Sequence, residues 1–317
     1  MNDVLVVLLK TLPIILMLFL GFRMKKKGFI SSETIGGMKK IAMNIAVPAL
    51  IFMVFFKAEM KPEILVLTVV IFAACSVEFA LGFLFKRLQR SSNPFYPSLF
   101  TTFLTGPIGI PLFIAYFGTE NLYRLAILDI GNSLFLFTVL TIFLTTVGCD
   151  MNSRGKQSLF MHLNNLFKSP LTVSMLLGMA FSLTGWGTQL EGLLAPAAVL
   201  ETLSILAGSA VPLTLIIVGY DLPFDFKNFK TIIGAVLLRM AMMLSLAYLI
   251  NTFIIVRWLQ LDELYQAALY TMFILPPPFI IPLSIVGECD HKQYVLDFIS
   301  LHLLLSLPAF ILIMSLL

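Results

Sequence analysis

The chain has 317 residues, of which 59% are hydrophobic and only 12% are charged. Soluble globular proteins carry about 25% charged residues, so this composition excludes an ordinary soluble domain and indicates that lipid surrounds much of the chain. The formal charge of +4 does not indicate a nucleic-acid partner, because the basic residues occupy short gaps between apolar runs. We therefore expect a membrane protein that contacts lipid and binds no nucleic acid.

Apolar runs long enough to cross a bilayer recur along the whole chain. A spanning helix needs about 20 mostly apolar residues, because the hydrocarbon core is about 30 Å thick. This criterion predicts an all-α membrane protein with ten spans. The predicted spans are 4–22, 37–56, 63–85, 97–117, 122–147, 168–185, 193–219, 230–256, 264–287 and 293–317.

The basic residues alternate with the gaps between spans. Of the 21 Lys and Arg residues, fifteen lie in the gaps that follow odd-numbered spans and four lie in the other gaps. Cytoplasmic loops are enriched in Lys and Arg, so we place the first set of gaps in the cytoplasm and both termini on the non-cytoplasmic side. This distribution predicts a multi-pass protein of the cell (inner or plasma) membrane.

The second half of the chain repeats motifs of the first. The polar segment 148–167 separates a first half, 1–147, from a second half, 168–317, and we expect it to be a cytoplasmic linker. Because each half has five spans, an odd number, the second half must start from the opposite side of the membrane. Such inverted repeats are common in secondary transporters. Three pairs of matching positions lie 164 to 171 residues apart: Pro48 with Pro212, Pro107 with Pro278, and Asp129 with Asp297.

Spans 4 and 9 are interrupted by prolines at corresponding places. Proline removes a backbone N–H and disrupts the helix, and freed backbone groups are tolerated at membrane depth only inside protein or beside water. Paired interruptions in two halves point to a transporter's binding site, where helix N-termini suit an anionic group. The alternative is that these prolines merely kink packed helices. The candidate substrate-binding residues are Thr105, Gly106, Pro107, Gly109, Pro111, Asn132, Pro277, Pro278, Pro282 and, in span 2, Asn44, which would either cap a kink or line the cavity.

Ionisable residues inside spans form a second group of candidates. Arg239 stays charged, so it needs a carboxylate, a backbone carbonyl or an anionic ligand. A structural ion pair with Asp129 or Glu78 and a contact to the substrate are the two alternatives. Glu78 and Asp129 are also candidates for a coupling proton. His302 is either a hydrogen-bonded interior group or a proton relay.

The sequence favours neither an enzyme nor a metalloprotein. The three Cys residues are far apart, and the three His residues form no HExxH motif. No nucleophile-and-base pair is visible. We expect no metal and no cofactor.

Several short motifs resemble those of the auxin efflux carrier family in its short prokaryotic form, and the resemblance extends over essentially the whole chain. They are Val47–Phe52 in span 2, Gly109–Leu112 in span 4, Val211–Leu213 with Gly219–Leu222 in span 7, and the Pro-rich span 9. The resemblance implies two inverted five-helix repeats. Spans 1, 2, 6 and 7 would form a scaffold, and spans 3–5 and 8–10 a transport domain in which spans 4 and 9 cross at their prolines.

The resemblance also implies transport of a small organic anion by elevator-type alternating access. Family substrates include auxin and small dicarboxylates such as malonate. Here, however, Leu104 stands where the family often has Asn, which indicates a more apolar ligand or a site that uses Thr105, Asn132 and backbone groups.

The most specific hypothesis is therefore a secondary active transporter for a small organic anion, with a carboxylate as the expected substrate. Proton coupling and a homodimer are further hypotheses. The alternative function is a non-transporting membrane sensor on a carrier-like fold. A channel is disfavoured, because broken helices are typical of a midplane binding site rather than of a pore lined by charged rings.

Overall fold

The computed structural model describes residues 2–57, 63–147, 170–184, 194–221, 229–285 and 290–316. Every regular element in these ranges is helical, which confirms the all-α class. The whole of the predicted linker 148–167, together with Cys149 and Cys289, falls outside the described residues.

The α-helices are numbered here in chain order. They are α1 Asn2–Lys26, α2 Ser32–Ile41, α3 Val47–Lys57, α4 Glu63–Leu88, α5 Ile110–Phe117, α6 Leu122–Phe135, α7 Thr141–Val147, α8 Pro170–Thr184, α9 Leu194–Asp221, α10 Phe229–Ile250, α11 Glu263–Phe273, α12 Ile280–Leu283 and α13 Asp290–Met314. Four π-helical segments in the described ranges adjoin α-helices: Ala42–Ala46 joins α2 to α3, Thr105–Gly109 precedes α5, Leu136–Leu140 joins α6 to α7, and Asn251–Trp258 extends α10.

Within the described ranges, seven helical stretches are long and apolar enough to cross a membrane. They are Glu33–Lys57, Leu65–Leu88, Tyr96–Phe117, Thr119–Leu144, Pro196–Asp221, Ile232–Trp258 and His291–Met314. Helix α1 has 25 residues and α8 has 15. The multi-pass character expected from composition is therefore confirmed.

The second helical stretch begins at Ser32, five residues before the predicted start at position 37. Ser31 caps it, since its hydroxyl accepts a hydrogen bond from the Thr34 backbone N–H at 3.1 Å. The polar first turn carries Glu33, which suits a helix N-terminus. Hydropathy located only the apolar part of this helix, and the cap accounts for the rest.

The chain divides into two compact units, each described here by itself. Unit 1 comprises residues 1–64, 106–126 and 164–222. In it α1 packs against α9, and α3 packs against both α8 and α9. Glycine permits the closest approaches, because a Cβ at Gly219 would lie 2.0 Å from the Leu18 carbonyl oxygen and one at Gly21 would lie 2.1 Å from that of Ile216. Small residues let membrane helices approach at backbone distance.

Unit 2 comprises residues 65–105, 127–163 and 223–317. Helix α10 packs against α13, and α4 packs closely on α6, where a Cβ at Gly131 would lie 2.4 Å from the Thr68 carbonyl oxygen. Edge-on aromatic contacts join the same helices, including Phe79 with Phe135 at a centroid separation of 5.9 Å. The first part of span 4, up to Thr105, and all described residues of spans 8 to 10 belong to this unit.

Candidate functional site

Span 4 loses its helical conformation between residues 101 and 104. A 3-10 turn, Tyr96–Phe100, ends at Thr101, whose backbone is extended. Thr102 then adopts a φ of +54°, a conformation that β-branched residues rarely occupy and that costs about 1–3 kcal/mol. Helical geometry resumes in the π-helical segment Thr105–Gly109 and continues in α5. The interruption therefore precedes the prolines, and a strained backbone marks it.

Span 9 is interrupted by three consecutive prolines. Helix α11 ends at Phe273, the residues 276–278 have no regular structure, and α12 is a single turn, Ile280–Leu283. Pro276 has no N–H to donate, but its carbonyl accepts a hydrogen bond from the Leu104 backbone N–H at 2.9 Å. The two interruptions thus meet inside unit 2, where both are buried.

Arg239 on α10 binds the backbone of both interruptions. Its guanidinium donates to the carbonyl of Leu99, to that of Thr102 at 2.8 Å and to that of Leu275 at 3.4 Å. The side chain is 0% exposed, and among the described residues no carboxylate oxygen lies within 4.0 Å of it. Of the partners considered from the sequence, the backbone carbonyl is therefore the one that Arg239 has in the structure.

Asn132 on α6 holds the interruption of span 4 through a reciprocal pair of hydrogen bonds. Its Oδ1 accepts from the Phe103 N–H at 3.0 Å, and its Nδ2 donates to the Phe103 carbonyl at 3.2 Å. The same Nδ2 lies 3.5 Å from the Thr105 hydroxyl and 2.7 Å from Oδ1 of Asp129. Ser133 donates to the other oxygen of Asp129 at 3.3 Å. Three candidate residues, Thr105, Asn132 and Asp129, thus form one hydrogen-bonded group.

Glu78 on α4 is also in unit 2 and is 0% exposed. Within the described part of the chain, neither oxygen of its carboxylate has a hydrogen-bond partner. An ionised carboxylate is stable in such a place only when it is paired and hydrogen-bonded. This environment differs sharply from that of Asp129, whose two oxygens each accept a hydrogen bond.

The remaining candidates are divided between the two units. Pro277, Pro278 and Pro282 lie in unit 2, and all three are buried. The other candidates belong to unit 1. They are Asn44 in span 2, Gly106, Pro107 and Gly109 in the π-helical segment Thr105–Gly109, and Pro111 in α5.

Asn44 lies within the π-helical segment Ala42–Ala46, just before Pro48. Its side chain is exposed and donates to the Lys40 carbonyl at 2.9 Å. A side chain that inserts into the backbone hydrogen-bond ladder is one recognised cause of helix irregularity. The contact favours the kink-capping alternative for Asn44.

Sequence reasoning missed Ser306, which holds the interruption of span 9. Its hydroxyl donates to the Ile274 carbonyl at 2.6 Å, and the Nδ1 atom of His302 lies 3.1 Å from the same hydroxyl. His302 is buried, and its Nε2 has no partner among the described residues. The four-residue spacing of these two polar side chains on one helix face was the available signal.

No group of three or more His, Cys, Asp or Glu side chains in the described ranges is placed to hold a metal ion. The site in unit 2 is instead built from backbone groups of two interrupted spans, held by Arg239, Asn132 and Ser306. Non-helical backbone at membrane depth is tolerated where it is buried in protein or lines a water-filled cavity.

The chain resembles known membrane transport proteins over nearly its whole length. Residues 6–313 match the family model described as "Membrane transport protein". An uncharacterized transporter of Methanothermobacter thermautotrophicus is 26% identical over 221 residues, 68% of each chain. An uncharacterized transporter of Methanocaldococcus jannaschii is 26% identical over 218 residues, 67% of each chain. These matches indicate a transporter rather than an enzyme, and the chain belongs to the membrane transport protein family, the family of the auxin efflux carriers.

Proposed function

We propose that this protein is a secondary active transporter that moves a small organic anion, a carboxylate, across the cell membrane by elevator-type alternating access. The observation that carries the proposal is the buried meeting of two interrupted spans, at the Leu104–Pro276 hydrogen bond. Transporters form midplane binding sites from discontinuous helices of this kind. Membership of a transport family supports the same function.

The fold that goes with this function has ten spans in two inverted halves, 1–147 and 168–317. In such a repeat, span 1 corresponds to span 6 and span 2 corresponds to span 7. The contact between α1 and α9 then becomes the contact between α8 and α3, and both contacts are present. In the same way Asn132 of span 5 holds span 4, and Ser306 of span 10 holds span 9. Both pairs of contacts support an inverted repeat.

The proposed assignment of spans to a scaffold and a transport domain agrees largely with the two compact units. Unit 1 contains the helices of spans 1, 2, 6 and 7, which we assign to the scaffold, and unit 2 contains most of spans 3, 5, 8, 9 and 10. The segment 106–126 clusters with unit 1 although the resemblance assigns it to the transport domain. This segment follows the break of span 4 at residues 101–105.

The anion contacts, in this proposal, are backbone N–H groups beside the interruptions and the Thr105 hydroxyl. Arg239 and Asn132 use their polar atoms to hold those backbone segments. They are therefore positioning residues, and Arg239 adds a fixed positive charge that favours an anion nearby. Pro277 and Pro278 keep their segment from forming regular helix, and Pro107 lies in the π-helical segment that follows the break of span 4. With both termini on the non-cytoplasmic side, spans 4 and 9 approach this point from opposite membrane faces.

Glu78 is the better of the two candidates for the coupling proton. Its carboxylate is buried without a hydrogen-bond donor among the described residues, so ionisation there has a large cost. Asp129 is already stabilised as an acceptor by Asn132 and Ser133. A buried carboxyl group that must change its surroundings to ionise suits a proton carried through a conformational cycle.

The test is uptake of labelled mono- and dicarboxylates into proteoliposomes, with and without a pH gradient. We expect saturable uptake of at least one anion, stimulated by the gradient in the wild type and no longer stimulated in Glu78→Gln. The matched control is Glu33→Gln, at an exposed position of α2, which should keep the stimulation. Saturable binding without any uptake would overturn the proposal and support the sensor.

A further inference from the structure

Unit 1 contains a cavity of about 880 Å³ that the function proposed above does not use. Its walls come from the C-terminal part of α3, from α5, from residues 119–123 and from the middle of α9. Small-molecule sites in proteins usually have volumes of about 300–1,000 Å³. The wall is largely apolar, and its apolar members include Leu50, Val54, Ile114 and Val211.

Lys57 is the one cation among the described residues that line this cavity. Lys57, the last residue of α3, lines it, and no carboxylate of the described residues lies within 4.0 Å of the ammonium group. Glu120 also lines the cavity, but its carboxylate is folded back against its own loop, where a Cβ at Gly118 would lie 2.3 Å from Oε1. A smaller cavity of about 200 Å³ is lined by Lys57 and Glu201 together. Within the described part of the chain, the Lys57 ammonium therefore has no ion-pair partner, and Glu120 and Glu201 are the carboxylates that share a cavity wall with it.

We propose that this cavity binds an amphipathic monocarboxylate, whose carboxylate pairs with Lys57 and whose hydrocarbon part lies along the apolar wall of α3 and α9. A second anionic group would find no second cation among the described lining residues and would meet Glu120 or Glu201 instead, so dicarboxylates are disfavoured. The inference deepens and rests on the proposed function, because it assigns the substrate class and an entry site.

The position of the cavity agrees with an entry role. Lys57 follows span 2 and Glu120 follows span 4, so the charge distribution places both on the non-cytoplasmic side. A lysine at a span end can also extend to lipid phosphates. That alternative needs no cavity and predicts no preference among carboxylates, so the two roles are distinguishable by experiment.

The first experiment measures equilibrium binding of labelled hexanoate to the full-length protein in nanodiscs of uncharged lipid. Adipate has the same chain length with a second carboxylate and serves as the competitor. We expect Lys57→Gln to weaken hexanoate binding about tenfold, as for a lost charge-assisted hydrogen bond, and Lys57→Arg to restore it. Lys40→Gln, another exposed lysine, is the matched control and should bind like the wild type. Equal competition by adipate and hexanoate would overturn the assignment of a monocarboxylate.

The second experiment fills the cavity. Gly208 lines it, and a Cβ there would meet no atom within 4 Å, so Gly208→Leu occupies the space without displacing backbone. Gly234→Leu on α10 is the control, because its Cβ would be equally free and it does not line the cavity. We expect hexanoate binding to be lost only in Gly208→Leu, with both variants unfolding at similar temperatures. Unchanged binding in Gly208→Leu would place the ligand elsewhere.

Uptake measurements separate the failure of this inference from failure of the proposed function. Wild-type uptake of hexanoate with a KM that Lys57→Gln does not change would overturn the cavity site and leave the transporter intact. Hexanoate binding that depends on Lys57, without uptake of any anion, would support the site and overturn transport. If anionic lipid abolished the binding of hexanoate to the wild type, Lys57 would be identified as a lipid contact and the inference would be overturned.

Discussion

Replacement of Arg239 by Met should destabilise the protein strongly, because the buried guanidinium donates hydrogen bonds to three backbone carbonyls. The carbonyls are those of Leu99, Thr102 and Leu275, and the side chain is 0% exposed. Each hydrogen bond to a charged group contributes about 1.5–3 kcal/mol. Removal of the buried charge offsets part of this loss, so we expect a net destabilisation of about 3–5 kcal/mol.

The assay is thermal unfolding of the purified protein in detergent. With about 2–4 °C of change in Tm per kcal/mol, the expected fall is about 10 °C. Arg257→Met is the matched control, since Arg257 is exposed and contacts only the ring of Phe253 among described aromatic residues. An Arg239→Met variant with an unchanged Tm would refute the structural role of the guanidinium and would favour a contact with the substrate.

The remaining predictions concern close packing and the second interruption. Gly219→Ala should lower the Tm by several degrees, because the new Cβ would lie 2.0 Å from a carbonyl oxygen of α1, whereas Gly208→Ala on the same helix meets no atom within 4 Å and should leave the Tm unchanged or raise it. Equal effects of the two substitutions would contradict the packing described for α1 and α9. Ser306→Ala should cost about 1–3 kcal/mol, because a buried carbonyl of span 9 loses its donor. Ser245→Ala, whose exposed hydroxyl bonds only within its own helix, should cost almost nothing, and similar losses in both would show that Ser306 does not hold the break.

Much of the fold follows from hydropathy, because each predicted span needs a long apolar run. The described helices coincide with the predicted runs to within a few residues, and the main exception is the capped start at Ser32. The proline pattern also located both interrupted spans. It could not give the point of interruption in span 4, which lies at Thr101 to Leu104, because Pro107 removes its own N–H and clashes with the carbonyl four residues back, at Phe103.

The candidate site was predicted less completely, because contacts between distant segments leave little trace in one sequence. Arg239 was found as a charge inside a span, but its carbonyl partners at Leu99 and Leu275 are 140 and 36 residues away. Asn132 was among the candidates from the sequence, and the structure gives it backbone partners that the sequence pattern does not specify. Lys57 is an ordinary lysine at the end of a span, and only the cavity beside it sets it apart.

Counterflow in proteoliposomes tests the central claim most directly. Vesicles preloaded with an unlabelled carboxylate are diluted into labelled carboxylate, and the transient accumulation of label is followed. The controls are empty vesicles and vesicles with the Asn132→Leu variant, in which the break of span 4 loses its side-chain hydrogen bonds. The account predicts overshoot of the label in preloaded wild-type vesicles and its loss in the variant. Label that enters without overshoot would indicate a channel, and label that binds without entering would indicate a sensor; either result would contradict a carrier built on these interrupted helices.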